Sequence, residues 1–261
     1  MPGQLDSTYG AWFVALFIEN LLYGMGLVQT WIYLFRRPAD KPCIKWTVLI
    51  VLALETLQML SFFRSSYFRF VERFGQIQID PIWTDSLQLL AGYLNMFAVQ
   101  LYFASRIHAS GLSLIGVWII LILAVVQISA GIAQTVVLYC LGSYTRLSET
   151  TPVTAVQSAA CLACDLLTMA FLCLFFRRSK GNSDMKQTRL ILDRLISDAI
   201  NRGTLTSLSS AMNLILFLAL PNTFWFFLGL APSSKLYMIT FLTSYVFESS
   251  LPVNASPFAQ A

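Results

Sequence analysis

Charge is scarce in this chain. Asp, Glu, Lys and Arg make up 11% of its 261 residues, where a soluble domain carries about 25%. An ordinary water-soluble domain is thereby excluded. A nucleic-acid partner is not expected either, because that role needs a basic patch on a water-facing domain, and the chain has no room for one. Histidine is confined to His108, beside Arg106. Cys161 and Cys164 form a CxxC inside an apolar run, with no second pair and no nearby His. Zinc sites need four converging ligands, so these are read as small buried hydrophobes, and no metal or cofactor is expected. Cys43 lies beside a basic loop, where a plain thiol or a palmitoylated one fits. There is no internal repeat, which counts against a carrier built from inverted repeats. The opening "MPGQLDSTYG" has no Lys or Arg, and no small-residue cleavage site closes a short apolar region. The first apolar run therefore reads as a retained helix and not as a signal peptide.

What is present is apolar sequence in long runs. The chain is 57% hydrophobic, with 20 Phe and a mean hydropathy of +0.67. Crossing ~30 Å of hydrocarbon takes about 20 such residues in a helix. Seven spans fit, at 11–35, 45–64, 84–106, 112–139, 153–176, 200–220 and 222–247. The expected fold is all-α: one polytopic bundle over 1–248, with a short tail at 249–261. "GLAP" at 229–232 is expected to kink the seventh span.

Loop charge sets the orientation. Arg36, Arg37, Lys41, Lys45, Arg106, Arg177, Arg178, Lys180, Lys186, Arg189, Arg194 and Arg202 fall on one side. Arg64, Arg69, Arg73 and Arg146 fall on the other. A bias of about 12 to 4 puts the first side in the cytosol. The N-terminus is then outside and the C-terminus inside, and the sequon at Asn254 is cytosolic and unused. Trp12, Trp83, Tyr144 and Trp225 are expected in the outer aromatic belt, and Trp31 and Trp46 in the inner one. The plasma membrane is the favoured location, with an endomembrane as the alternative.

The stretch "RRSKGNSDMKQTRLILDRLISDAINRG" reads as an amphipathic helix at the inner interface, leading into the sixth span. Its Arg177, Arg178, Lys180, Lys186, Arg189 and Arg194 are either positive-inside charge or a docking surface for a cytosolic protein. The outer stretch "RSSYFRFVERFGQIQIDP" reads as a lid or as an extension of span two.

Four ionisable residues fall at the bilayer middle. At 1.5 Å per residue, Glu19 lies roughly 12 Å below its outer end, Glu55 about 15 Å, Asp165 about 18 Å and Lys235 about 19 Å. Each is costly there unless paired or hydrated. Lys235 is expected to pair with Asp165 or Glu55, as a structural ion pair or as part of a site for an anionic or carbonyl-bearing ligand. A retinal-type Schiff base is disfavoured, because span three offers only Asp85, near its outer end. Other polar residues recur on single helix faces: Glu55 and Gln58; Gln88, Asn95 and Tyr102; Gln127 and Gln134; Ser158, Cys161, Asp165 and Thr168; Thr206, Ser209, Ser210 and Asn213. Such residues hold membrane helices together or line a ligand site. The candidate polar site is Glu19, Glu55, Gln58, Asn95, Asp165, Asn213 and Lys235.

Several phrases carry a resemblance: "LLYGMGLVQTWIYLFRRPADKPCIKWTVLIVLALETLQ", "FAVQLYFASRI" and "LILDRLISDAINRGTLTSLSSAMNLILFLALPNTFWFFLG…SSKLY". The chain resembles multi-pass membrane proteins of mushroom-forming fungi that share a domain of unknown function. Tyr23, Gly24 and Gln29 match the group's first helix. Glu55 and Gln58 stand where the group has Asp and His. Gln100, Phe103 and Arg106 match the third helix, and Asp165 an acid in the fifth. Arg194, Leu195, Ile196, Asn201, Gly203, Leu205, Thr206 and Ser207 match a long block in which Arg202 replaces Thr. Pro221, Ser234, Lys235, Leu236 and Tyr237 match the last motif, after which "MITFLTSYVFESS" departs from the pattern. The resemblance implies a seven-helix integral membrane protein and no catalytic motif. The expected function is receptor- or sensor-like, with a small ligand in a polar mid-membrane pocket. The alternatives are an intramembrane acid-catalysed enzyme of the isoprenoid cyclase or isomerase type, or a small transporter.

Overall fold

The computed structural model describes residues 6–36, 42–74, 80–109, 111, 114–144, 149–181, 186–220 and 223–248. Among them are seven α-helices: α1 (Ala11–Arg36), α2 (Pro42–Tyr67), α3 (Trp83–Ala109), α4 (Leu114–Leu141), α5 (Thr151–Gly181), α6 (Lys186–Ala219) and α7 (Phe227–Glu248). Short π-helical turns precede α1 and follow α2, at Asp6–Gly10 and Phe68–Glu72. Among the described residues the fold is entirely helical. Residues 249–261, with the Asn254 sequon, lie outside the described residues, as do Pro221 and the side chain of Cys43.

The α-helices pack in chain order around a closed ring, with α7 returning to α1. α7 also touches α2 and α3, and α3 also touches α5. α3 and α7 therefore occupy the middle. Five helices, α1 to α5, are long and apolar enough to cross a membrane. Large apolar side chains such as Phe17, Trp46, Trp118, Ile122 and Leu174 are exposed on their outer faces, as helices facing lipid require. α7 falls short of that apolar standard for a packing reason. From Leu230 to Leu242 every side chain is buried or half-buried, so protein and not lipid surrounds it. Such a helix can carry Ser233, Ser234, Lys235 and Thr240 along its length.

α6 departs from expectation. It is one helix of 34 residues, or ~51 Å at 1.5 Å per residue. The segment expected to lie along the inner interface instead continues α6 without a break. Lys180 near the end of α5 meets Asp193 on this extension at 2.6 Å. No Gly or Pro interrupts 186–200, and the first Gly is Gly203, so the backbone has no cause to turn. α7 likewise runs on through Pro232. Its start is built from turns, with Phe227 N donating to Phe224 O and Leu228 N to Trp225 O. Gly142 ends α4 at a φ of 61°, a left-handed conformation that suits a residue without Cβ just past a helix C-terminus.

Candidate functional site

A sealed charge cluster sits where α1, α2, α3 and α7 meet. Lys235 and the carboxylates of Glu19 and Glu55 are all fully buried. Lys235 Nζ lies 2.6 Å from Glu55 Oε2 and 3.0 Å from Glu19 Oε1, and it donates to Gln58 Oε1 at 3.1 Å. An ammonium has three protons to give, and three oxygens lie within 3.1 Å of this one. Gln58 Oε1 also accepts from Ser234 Oγ at 2.7 Å. Asn95 Nδ2 donates to Glu55 Oε1 and, at 3.2 Å, to the Ser234 carbonyl. Glu55 is held at one oxygen by the Asn95 hydrogen bond and at the other by its ion pair with Lys235. Glu19 meets Lys235 as an ion pair, and neither of its oxygens has a hydrogen-bond donor among the described residues. Two carboxylates face one ammonium, so a fully ionised cluster carries one negative charge in excess.

The expected pairing with Glu55 is present, and the second partner is Glu19 rather than Asp165. Asp165 belongs to a separate network one helix face away. Tyr237 donates its hydroxyl to Asp165 Oδ1 at 2.5 Å. Cys161 Sγ lies 3.2 Å from the Tyr237 hydroxyl and 3.3 Å from Ser210 Oγ. Asn213 Nδ2 donates to Ser158 Oγ at 3.2 Å. Gln100 Nε2 donates to Gln127 Oε1 at 2.5 Å, and Tyr93 donates to Gln134 Oε1 at 2.7 Å. Apart from half-buried Tyr102, every member of the stripes read from sequence spacing is buried.

Two polar cavities follow the seam between α3, α5, α6 and α7. The first is bordered by Gln157, Ser158, Cys161, Ser210, Asn213 and Ser233. The second is bordered by Gln100, Asp165, Thr168, Thr206, Tyr237 and Thr240. Each has room for about one water molecule, far below the ~300 Å³ at which small-molecule sites begin.

A third polar group, at the far end of α2, escaped sequence reasoning. Arg69 is 1% exposed and makes a two-pronged ion pair with Asp85, at 2.6 and 3.1 Å. Its guanidinium sits 4.4 Å from the centre of the Trp12 ring and 5.7 Å from that of Tyr144. Trp12 Nε1 donates to Ser66 Oγ at 2.8 Å. Burial first, and then the Asp85 carboxylate, push the Tyr144 phenol well above its ordinary range. Two belt assignments are thereby corrected. Trp12 and Tyr144 pack inward to cover a buried arginine, whereas Trp83, Trp31 and Trp46 are exposed. The available signal was an arginine among the aromatic residues of "YFRF" with Asp85 at the start of the next helix. The outer stretch extends α2 through Glu72, and residues 75–79 lie outside the described ones.

On the basic loop, Arg177 and Arg178 are exposed at the end of α5. Lys186, Arg189 and Arg194 lie on the α6 extension, and their side chains are outside the described set.

Fold and site together define a multi-pass helical membrane bundle with a charged interior. A family profile described as "Family of unknown function (DUF6534)" matches residues 161–246, about a third of the chain. It takes in Asp165, the 194–207 block, Ser234 to Tyr237 and part of the stretch beyond. The resembling phrases of the first and third helices lie outside it. No curated protein matches the chain.

Proposed function

We propose that this chain is a receptor- or sensor-like integral membrane protein with seven spans, N-terminus outside, of the fungal group it resembles. In this reading a small ligand held in the polar layer changes how α7 sits among its neighbours. The observation that carries it is the Glu19–Lys235–Glu55 cluster. A buried site with two carboxyl groups on one ammonium is expensive when all are ionised, and this one joins three helices through one side chain. Such a joint has two arrangements to choose between, one closed on Lys235 and one opened by a competing donor. Because Lys235 already meets three oxygens, the competing group is a hydrogen-bond donor and not an anion.

The cavities favour the same ligand chemistry. Gln100 and Asn213 border them, and the side-chain oxygens of both are buried without a donor among the described residues. A small polar molecule bearing hydroxyl or amine groups suits that lining once the water-sized gaps open to admit it. The output surface in this reading is the basic end of α5 with the α6 extension, which would meet a cytosolic protein. Native mass spectrometry with lipid profiling, on wild type and Lys235→Met, tests the proposal. A defined non-lipid molecule that accompanies wild type and is lost from the variant supports it. A stable wild type with nothing bound, beside a variant that is merely less stable, overturns it.

A further inference from the structure

The two cavities are separated by a single hydrogen bond. Cys161 borders the first and Tyr237 the second, and their sulfur and hydroxyl lie 3.2 Å apart. The direction of each hydrogen bond in this chain can be assigned. Tyr237 donates its hydroxyl to Asp165 Oδ1. A phenol has one proton, so Cys161 must donate to the Tyr237 oxygen. By the same count Ser210 donates to Cys161 Sγ, at 3.3 Å. All three protons point the same way, from the first cavity toward Asp165.

We infer that Ser210, Cys161, Tyr237 and Asp165 form a proton wire joining the two cavities, through which the bundle passes protons across its middle. A hydronium in the first cavity gives a proton to Ser210 Oγ. The Ser210 proton moves to Cys161 Sγ, the thiol proton to the Tyr237 oxygen, and the phenol proton to Asp165 Oδ1. Four bonds to hydrogen break and four form. The net change is one hydronium converted to water and one carboxylate converted to carboxylic acid. Asp165 then releases its proton to water in the second cavity, and the hydroxyl and thiol groups rotate back.

Neighbouring titratable groups make hydrogen bonds of their own. Cys164, on α5, directs its thiol to the Ile120 carbonyl at 3.9 Å. Tyr93, on α3, donates to Gln134. The stretches beyond the cavities are short. Gln157 lies ~9 Å from the Thr151 end of α5, and Thr168 lies ~14 Å before Arg177. Water must complete the path over those distances. The wire lies apart from the Lys235 cluster and does not depend on the sensor reading.

The test uses the full chain in liposomes that hold a pH-sensitive dye, driven by a potassium potential set with valinomycin. Wild type is expected to change the internal pH faster than protein-free liposomes do. Tyr237→Phe should slow it on the order of 10²-fold, as loss of a proton-transferring group does elsewhere. That variant also deprives Asp165 of a donor and can unfold the bundle. Cys161→Ser and Cys161→Val therefore form a second pair. Both residues are close to cysteine in size, but only serine relays a proton. Flux kept by Cys161→Ser and lost in Cys161→Val supports the wire. Wild-type flux at the protein-free level, or Cys161→Val conducting as well as wild type, overturns it.

Discussion

Lys235 and its two carboxylates are not equivalent, and the difference predicts which of them the fold can lose. Removing one member of a buried pair strands the other, at about 3–5 kcal/mol. Lys235→Met strands two carboxylates, so it should cost at least that much. Glu19→Gln removes the excess charge and leaves Lys235 with Glu55, which Asn95 already holds in place. Its expected cost is within about 1 kcal/mol, with a gain in stability equally consistent with the arithmetic of buried ions. Thermal unfolding of the two variants in matched detergent checks the order; Glu19→Gln falling as far as Lys235→Met would show that both carboxylates are required. This pairing was half legible in the sequence. Depth along each helix puts all four ionisable residues in one slab, but depth says nothing about azimuth. Asp165 and Glu19 lie at comparable depth, and only the ring order of the helices decides that Glu19 faces α7 on the Lys235 side. Tyr237, two residues beyond the lysine, turns the opposite face of α7 toward Asp165.

Between elements, contact distance is set by the residues that lack a Cβ. An alanine Cβ at Gly229 would stand 2.4 Å from the backbone N of Asn213 and 2.7 Å from the carbonyl of Ser209. There α6 and α7 touch backbone to backbone, and Ser209 Oγ donates to the Gly229 carbonyl at 2.7 Å. At Gly26 the same Cβ meets the far end of the flexible Met238 side chain, 2.9 Å from its Cε and 3.0 Å from its Sδ. Gly229→Ala should therefore push the helices apart at about 1–3 kcal/mol, while Gly26→Ala costs less because the end of Met238 can rotate. Unfolding midpoints measured side by side check this, and equal losses would argue that the α6–α7 contact is looser than the distances indicate. Helix number and the polar faces were readable from spacing, because period 3.6 fixes which residues share a side. The continuity of α6 was not. Amphipathic spacing before a span fits a helix lying on the interface as well as one projecting beyond it. What separates them is whether a breaker intervenes, and Gly203 does not act as one.

At the scale of the whole molecule the remaining question is direction. Charge placement in the loops predicts that the Arg36–Lys45 loop, Arg106 and the α5–α6 hairpin lie in the cytosol. The structure supplies a consequence of that choice. α6, at ~51 Å, outruns a ~30 Å hydrocarbon core by several turns. Its basic half, with Lys186, Arg189 and Arg194, must then stand in water on whichever side the hairpin faces. The buried Arg69–Asp85 group under Trp12 and Tyr144 lies at the opposite end of the bundle. Orientation therefore decides whether the projecting basic helix can meet a cytosolic protein at all. A split fluorescent reporter settles it. The short fragment joined to the C-terminus is expected to light up with a cytosolic complement, and the same fragment on the N-terminus to stay dark. The reverse pattern would put the α6 extension outside the cell and remove the output surface on which the sensor reading depends. It would leave the proton wire intact, since a path between two cavities carries protons in either orientation.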